Sequence, residues 1–328
     1  MPDSSKFEPN TDIPDLSGKV FVVTGGSAGI GYGICAHLLQ HDCEKLYLLG
    51  RNEDHLSEAQ EGLQKHGDTS RVQLVQIDLE DLRQTDRAAK RLASELTRLD
   101  GLVLNAGLGV GPYAESKDGI DNHMQVNVIA QHHIAMLLLP LLLKTEDSRL
   151  VFQSSEFHRM LTSHPDFASV SELNQDVGPM PLYARTKLAQ VLMMRYLHKL
   201  KSTPDDKLGL KAGSAPWINA THPGAVVTDQ QDQAVQAFGT MGKLGVKAVR
   251  PFMKDPIDEG CRSALFAATA HAIADEGIDG QYIVPDRKVT DVSKEGKDEA
   301  LGERCWKLVE EILKEKLGVD LGYPTLLA

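Results

Sequence analysis

The chain has little cysteine, few aromatic residues and no basic blocks. Its 328 residues include four cysteines, Cys35, Cys43, Cys261 and Cys305, and aromatics make up 5%. No two cysteines form a CxxC pair and none stands at zinc-ligand spacing with histidine, which argues against a disulfide scaffold or a zinc ribbon. Scattered thiols suit a reducing compartment, so the cytoplasm is the expected location. Lys and Arg total 35 against 46 Asp and Glu, a formal net charge of −11. Such a chain is a poor candidate for nucleic acid or an anionic membrane, although a local basic pocket for phosphate stays open. The longest apolar run, Ile134 to Leu143, is too short to span a bilayer and reads as a buried helix end. The polar opening segment has no apolar core and does not read as a secretory signal. Repeats, low-complexity tracts and a clear linker are missing too. One domain over 1–328 is expected, with a loose lead-in over 1–17 and a helical extension over 286–328.

What is present is strict alternation of strand and helix. Apolar runs at 19–26, 45–51, 71–78, 101–107, 149–155, 217–224 and 280–285 read as strands. Helical spacing falls between them, at 30–42, 53–66, 81–98, about 118–143 and about 180–202. This predicts an α/β fold of Rossmann type, a doubly wound parallel sheet of about seven strands with helices on both faces. The segments 155–180 and 225–260 are long and irregular, as lids and binding loops are. The stretch 305–317 has apolar residues at helical spacing and predicts a terminal helix, packed on the body or on a partner.

The first strand runs into "TGGSAGIGYG". Glycines at 25, 29 and 31 remove Cβ atoms where a strand turns into a helix. Backbone can then approach a pyrophosphate, and the helix N-terminus faces it with free N–H groups. The second strand ends "LLGRN". An acidic residue there would bind the ribose 2′-hydroxyl of NAD, whereas an arginine accepts the 2′-phosphate of NADP. Here Gly50 is followed by Arg51, with Ser27 and Asn52 able to add hydrogen bonds, so NADP(H) is the expected cofactor.

Further on, "YARTK" places Tyr183 and Lys187 one helical turn apart. A lysine beside a phenol stabilises the phenolate and should lower the phenol's pKa, making Tyr183 a usable proton donor or acceptor.

Together these motifs resemble the short-chain dehydrogenase/reductase family over roughly residues 17 to 285. The cofactor loop, Ile30 included, fits its TGxxxGxG pattern. "LNAG" supplies Asn105, Ala106 and Gly107, which the resemblance places at the central sheet and the adenine ribose. Asp78 and Leu79 match the acidic pair at the adenine ring. Asn127, in "QVNVIAQ", stands at the active-site asparagine. "VFQSSEFHR" offers Ser154 and Ser155, of which Ser155 aligns better with the catalytic serine. In "THPGAVVT", Pro223, Gly224 and Val226 fall near the nicotinamide and Thr228 on its carboxamide. The resemblance implies that Ser155 holds the substrate oxygen and that Tyr183 donates a proton. Lys187 would stabilise the phenolate and contact the ribose, and Asn127 would hold a water that links Lys187 to solvent.

Ser155 and Tyr183 lie farther apart than in compact family members. With "SSEFH", the intervening insertion is similar to retinol dehydrogenases and to the catalytic domain of WW-domain oxidoreductase. The C-terminal part is similar to reductases of fungal biosynthetic pathways. Carbonyl reduction on an apolar small molecule is expected. Alcohol oxidation on the same fold, or NADPH binding without turnover, are the alternatives. A homodimer paired through the long helix and the "YARTK" helix is compatible with their apolar faces, as is simple burial. His123, His132 and His133 lack acidic partners at ligand spacing, so no metal is expected. His158 either lines the substrate cleft or bonds a nearby carbonyl.

Overall fold

The computed structural model describes residues 6–203, 207–226 and 255–324. In strand β1 (Val20–Thr24) all five residues are buried. Val20 and Val22 enter one core, Phe21 and Val23 another. The same division recurs in β2 (Lys45–Gly50), where Tyr47 and Leu49 face the first core and Leu46 and Leu48 the second. Side chains alternate across a strand, and here each side is covered. That is why these strands read as unbroken apolar runs.

The remaining strands are β3 (Val72–Gln76), β4 (Gly101–Leu104), β5 (Arg149–Gln153), β6 (Trp217–Thr221), β7 (Tyr282–Val284) and β8 (Lys288–Thr290). They form one sheet in the order β3-β2-β1-β4-β5-β6-β7-β8. Neighbours are parallel except β7 and β8, which pair antiparallel with Tyr282 opposite Thr290. About seven strands were expected and eight are present among the described residues. The eighth is three residues long and mostly exposed, too short and polar to register as an apolar run. It also lies inside the segment expected to be a helical extension, so 286–328 is not helical throughout.

The longer helices among the described residues are α1 (Gly29–Gln40), α2 (Glu53–Leu63), α3 (Leu82–Glu95), α4 (Ala130–Lys144), α5 (Pro179–Leu200), α6 (Arg262–Thr269) and α7 (Glu299–Leu317). Residues of α1 and α6 build the second core, and residues of α3, α4, α5 and α7 the first. A short helical turn at Asn122–Met124 and a wider π turn at Gln125–Ile129 lead into α4. The start falls at 122 because the Asp121 carboxylate accepts from the Met124 N–H at 2.8 Å, an N-cap that fixes the boundary. The span Asn122–Lys144 is long and apolar enough to cross a membrane, yet it is mostly buried within the protein. Its apolar character is that of a core helix.

Helix α7 lies on α5 and α3. Its Trp306 ring meets His132 of α4 edge-on, centroids 4.5 Å apart, and Tyr196 of α5 at 5.3 Å. The terminal helix thus packs on the body, over the helices expected to offer a pairing face.

In the sheet order, β1 lies between β2 and β4, so successive crossovers diverge beyond the ends of β1 and β4. Open α/β sheets bind ligands in the crevice at such a switch point.

Candidate active site

The crevice is lined by Gly25, Ser27, Gly29 and Ile30 from the β1–α1 loop, by Arg51, by Asp78 and Leu79, and by Asn105, Ala106 and Gly107. The glycines are required there. Gly25 has φ +65°, and a Cβ on it would meet Ala106 Cα at 2.9 Å. A Cβ on Gly31 would meet the Gly25 carbonyl oxygen at 2.1 Å, so Gly31 lets α1 pack tightly behind the loop. Ala28 precedes α1 and gives it no side-chain cap, which leaves the first-turn N–H groups for an anion. This loop fits a dinucleotide pyrophosphate.

Thr24 and Asn105 lock the loop to the sheet. The Thr24 hydroxyl accepts from the N–H groups of Asn105 and Ala106 and donates to Gln131 Oε1 at 3.0 Å. Asn105 Nδ2 donates to the Thr24 carbonyl at 3.0 Å. Thr24 was legible only as part of the loop motif, and Gln131 was not singled out, because the two lie far apart along the chain.

At the far end, the Arg51 side chain is 69% exposed and its nearest carboxylate, Glu80, is 3.6 Å away. Ser27 lies beside Gly50: a Cβ on that glycine would come within 3.2 Å of Ser27 Oγ. Asn52 also caps α2: its carboxamide oxygen accepts from Asp54 N and His55 N. The Asp78 carboxylate accepts from Lys117 Nζ at 2.8 Å and from Glu80 N at 3.0 Å. Burial raises its pKa, but Lys117, the Glu80 N–H and Arg51 outweigh that and hold it below the usual carboxylate range.

The catalytic candidates converge from three elements. Ser155 follows β5, and its hydroxyl accepts from Phe157 N at 3.3 Å. Tyr183 and Lys187 come from α5, with Lys187 Nζ 5.4 Å from the centre of the phenol ring. Phe157 packs edge-on against Tyr183 at 5.2 Å. Burial pushes the Tyr183 phenol up to about 12, although the neighbouring Ser155 hydroxyl pulls it down. Burial also pushes the Lys187 amine down to about 7. The phenol is therefore raised rather than lowered in the protein alone, because desolvation dominates both groups.

Asn127 is held by its own neighbours. It sits inside the π turn, and its Nδ2 donates to Thr186 Oγ1 at 2.9 Å and to the Leu108 carbonyl at 3.0 Å, while its Oδ1 accepts from Leu108 N. Its main-chain carbonyl accepts from Gln190 Nε2. Ser154 is structural, its hydroxyl donating to the Lys187 carbonyl. His158 bonds locally: Nδ1 meets the Ser155 carbonyl at 2.7 Å and Nε2 accepts from Ser293 N at 3.1 Å. Gly224 has φ +84° and donates its N–H to His222 Nδ1, Pro223 lies in the same turn after β6, and Val226 is buried against Gly260. These three do not line the crevice between β1 and β4, and Thr228 lies outside the described residues.

The short chain dehydrogenase family pattern matches residues 19–164. An oxidoreductase of Neurospora crassa named bli-4, with a mitochondrial designation, is 34% identical over 93% of this chain and 74% of its own length. The chain belongs to the short-chain dehydrogenase/reductase family. Within that family, human WW domain-containing oxidoreductase is 27% identical over 94% of this chain and 71% of its own. A short-chain dehydrogenase of Shigella flexneri, solved with NADP, superposes with a TM-score of 0.58 at 25% identity, covering 82% of this chain and 98% of that one. As a short-chain dehydrogenase/reductase, the protein is an oxidoreductase that works with a nicotinamide cofactor.

Proposed function

We propose that the protein reduces a ketone or aldehyde on a mostly apolar small molecule at the expense of NADPH. The observation that carries this reading is the buried phenol of Tyr183, backed by Lys187 and facing Ser155. When bound, the cofactor supplies the hydride. The Ser155 hydroxyl holds the substrate oxygen. Tyr183 gives its proton to that oxygen as negative charge develops, and Lys187 stabilises the phenolate left behind. A phenol pushed up to about 12 is protonated at neutral pH and so carries the proton that a reduction consumes.

Arg51 supports NADPH over NADH. It follows Gly50 at the end of β2, the position an acidic residue would take to bind a ribose hydroxyl, and its guanidinium is exposed. The Shigella relative's NADP points the same way. An apolar substrate is supported by Phe157 against the phenol and by exposed Met160 and Met180 on the segments that flank the site. The four thiols are free and buried, in keeping with the cytoplasm. Cell fractionation tests this against the mitochondrial designation of the Neurospora relative.

The decisive experiment is a fluorescence titration with NADPH and NADH, followed by turnover on a panel of ketones and aldehydes. Tight NADPH binding with turnover is the expected result. Binding without turnover on any carbonyl or alcohol would favour a non-catalytic NADPH sensor.

A further inference from the structure

Lys187 is held from behind by an amide. Its Nζ donates to the Gln153 carbonyl and to Gln190 Oε1, each at 2.9 Å. Gln190 Nε2 then donates to the Asn127 carbonyl, also at 2.9 Å. Lys187, Gln153, Gln190 and Asn127 are all buried. Gln190 stands three residues after Lys187, so it lies one turn further along the same face of α5. Asn127 occupies the middle of the π turn, and its own carboxamide is engaged by Leu108 and Thr186. An amide therefore joins Lys187 to the Asn127 carbonyl; the resemblance implied a water held by Asn127 in that link.

The chemical difference matters. Water passes a proton by exchanging its donor and acceptor roles. A carboxamide donates only through nitrogen and accepts only through oxygen. It can hold the ammonium in place, but it does not hand a proton on.

We propose that Gln190 is a positioning residue that takes the place of solvent behind Lys187, fixing the amine against Tyr183 and closing that side to proton exchange. Its catalytic consequence rests on Tyr183 and Lys187 acting as proposed above; the bonding itself does not. Each reduction removes one proton from Tyr183 Oη and leaves a phenolate. Two of the three Lys187 donors are tied to Gln153 and Gln190. The proton that restores Tyr183 accordingly enters from water at the cleft mouth once the alcohol has left. Among the described residues, the titratable group in contact with Lys187 is Tyr183 on its own helix. Strand β5 presents a main-chain carbonyl, and the π turn presents another through Gln190.

The test uses Gln190→Leu, which fills the space without bonding, and the near-isosteric Gln190→Glu. The Lys187 Nζ resonance is followed by 15N-lysine NMR in the cofactor-free protein, identified by its loss in Lys187→Met. Loss of an acceptor should lower the amine's titration midpoint in Gln190→Leu, and a carboxylate should raise it in Gln190→Glu, by ~1 unit or more. The pH profile of turnover should move in the same two directions. In a third variant, Gln190→Ser, water can enter, and Nζ protons should exchange with solvent faster than in the wild type when NADPH fills the cleft. Unchanged midpoints in both the Leu and Glu variants would overturn the positioning role. Exchange no faster in the Ser variant would overturn the closure. If Gln190→Leu does not fold, the Glu variant decides the first point alone. A failed NADPH titration would count against the cofactor reading, and the cofactor-free midpoints would still decide the role of Gln190.

Discussion

Lys187 Nζ lies 5.4 Å from the centre of the Tyr183 ring, and both side chains are buried on the same face of one helix. Burial disfavours the charge on each when it stands alone. A phenolate and an ammonium formed together would relieve each other. The pair is thus arranged for a moment of charge separation, which is what proton donation to a developing alkoxide creates.

Replacing Tyr183 with Phe removes the proton and keeps the ring that packs against Phe157. Turnover should fall by about two to four powers of ten. NADPH affinity, measured by fluorescence titration, should stay near the wild-type value. Full activity in the variant would remove Tyr183 from the mechanism.

Lys187 also makes stability depend on pH. Its folded pKa of about 7 is below the ordinary 10.5, with desolvation the cause. Below about 7 the lysine is charged whether folded or not, and the folded chain carries the whole cost of burying that charge. Between about 7 and 10.5 the unfolded chain binds a proton that the folded one does not, so stability rises with pH across this window. Lys187→Met should therefore gain stability over the wild type at pH 6, and the gain should shrink toward pH 10. Thermal melts of the cofactor-free protein at both pH values measure this. A gain that grows with pH would contradict it.

Arg51→Asp should move cofactor preference from NADPH toward NADH. Losing a charge-assisted contact of about 1.5–3 kcal/mol corresponds to a tenfold to hundredfold weaker NADPH affinity. NADH affinity should hold or improve. Titration with both cofactors gives the ratio, and an unchanged ratio would leave Arg51 as a solvated surface residue.

Helix α7 should be structural. Trp306 is 1% exposed and packs on His132 and Tyr196, so Trp306→Ala should cost about 3–5 kcal/mol. Because α7 covers α5, the chain should sediment as a monomer, or pair through some other surface. Chemical denaturation and analytical ultracentrifugation test the two statements separately, and a dimer that buries α5 against its counterpart would sink the second.

The sequence by itself determined the strands buried on both faces, since apolar runs such as Val20–Val23 leave few alternatives to a covered parallel sheet. It also determined the glycine loop and the spacing of Tyr183 and Lys187, because these depend on neighbours within one turn or one strand–helix junction. Tertiary structure decided what depends on partners distant along the chain. Asn52 proved to be a helix cap, and the polar strand β8 paired back on β7. The phenol rose in pKa because its surroundings exclude water, a property that no local pattern encodes. Gln190 reached the Asn127 carbonyl only because α5 and the π turn, some sixty residues apart, pack side by side; short-range pattern fixes which groups a segment carries, and packing fixes which of them meet.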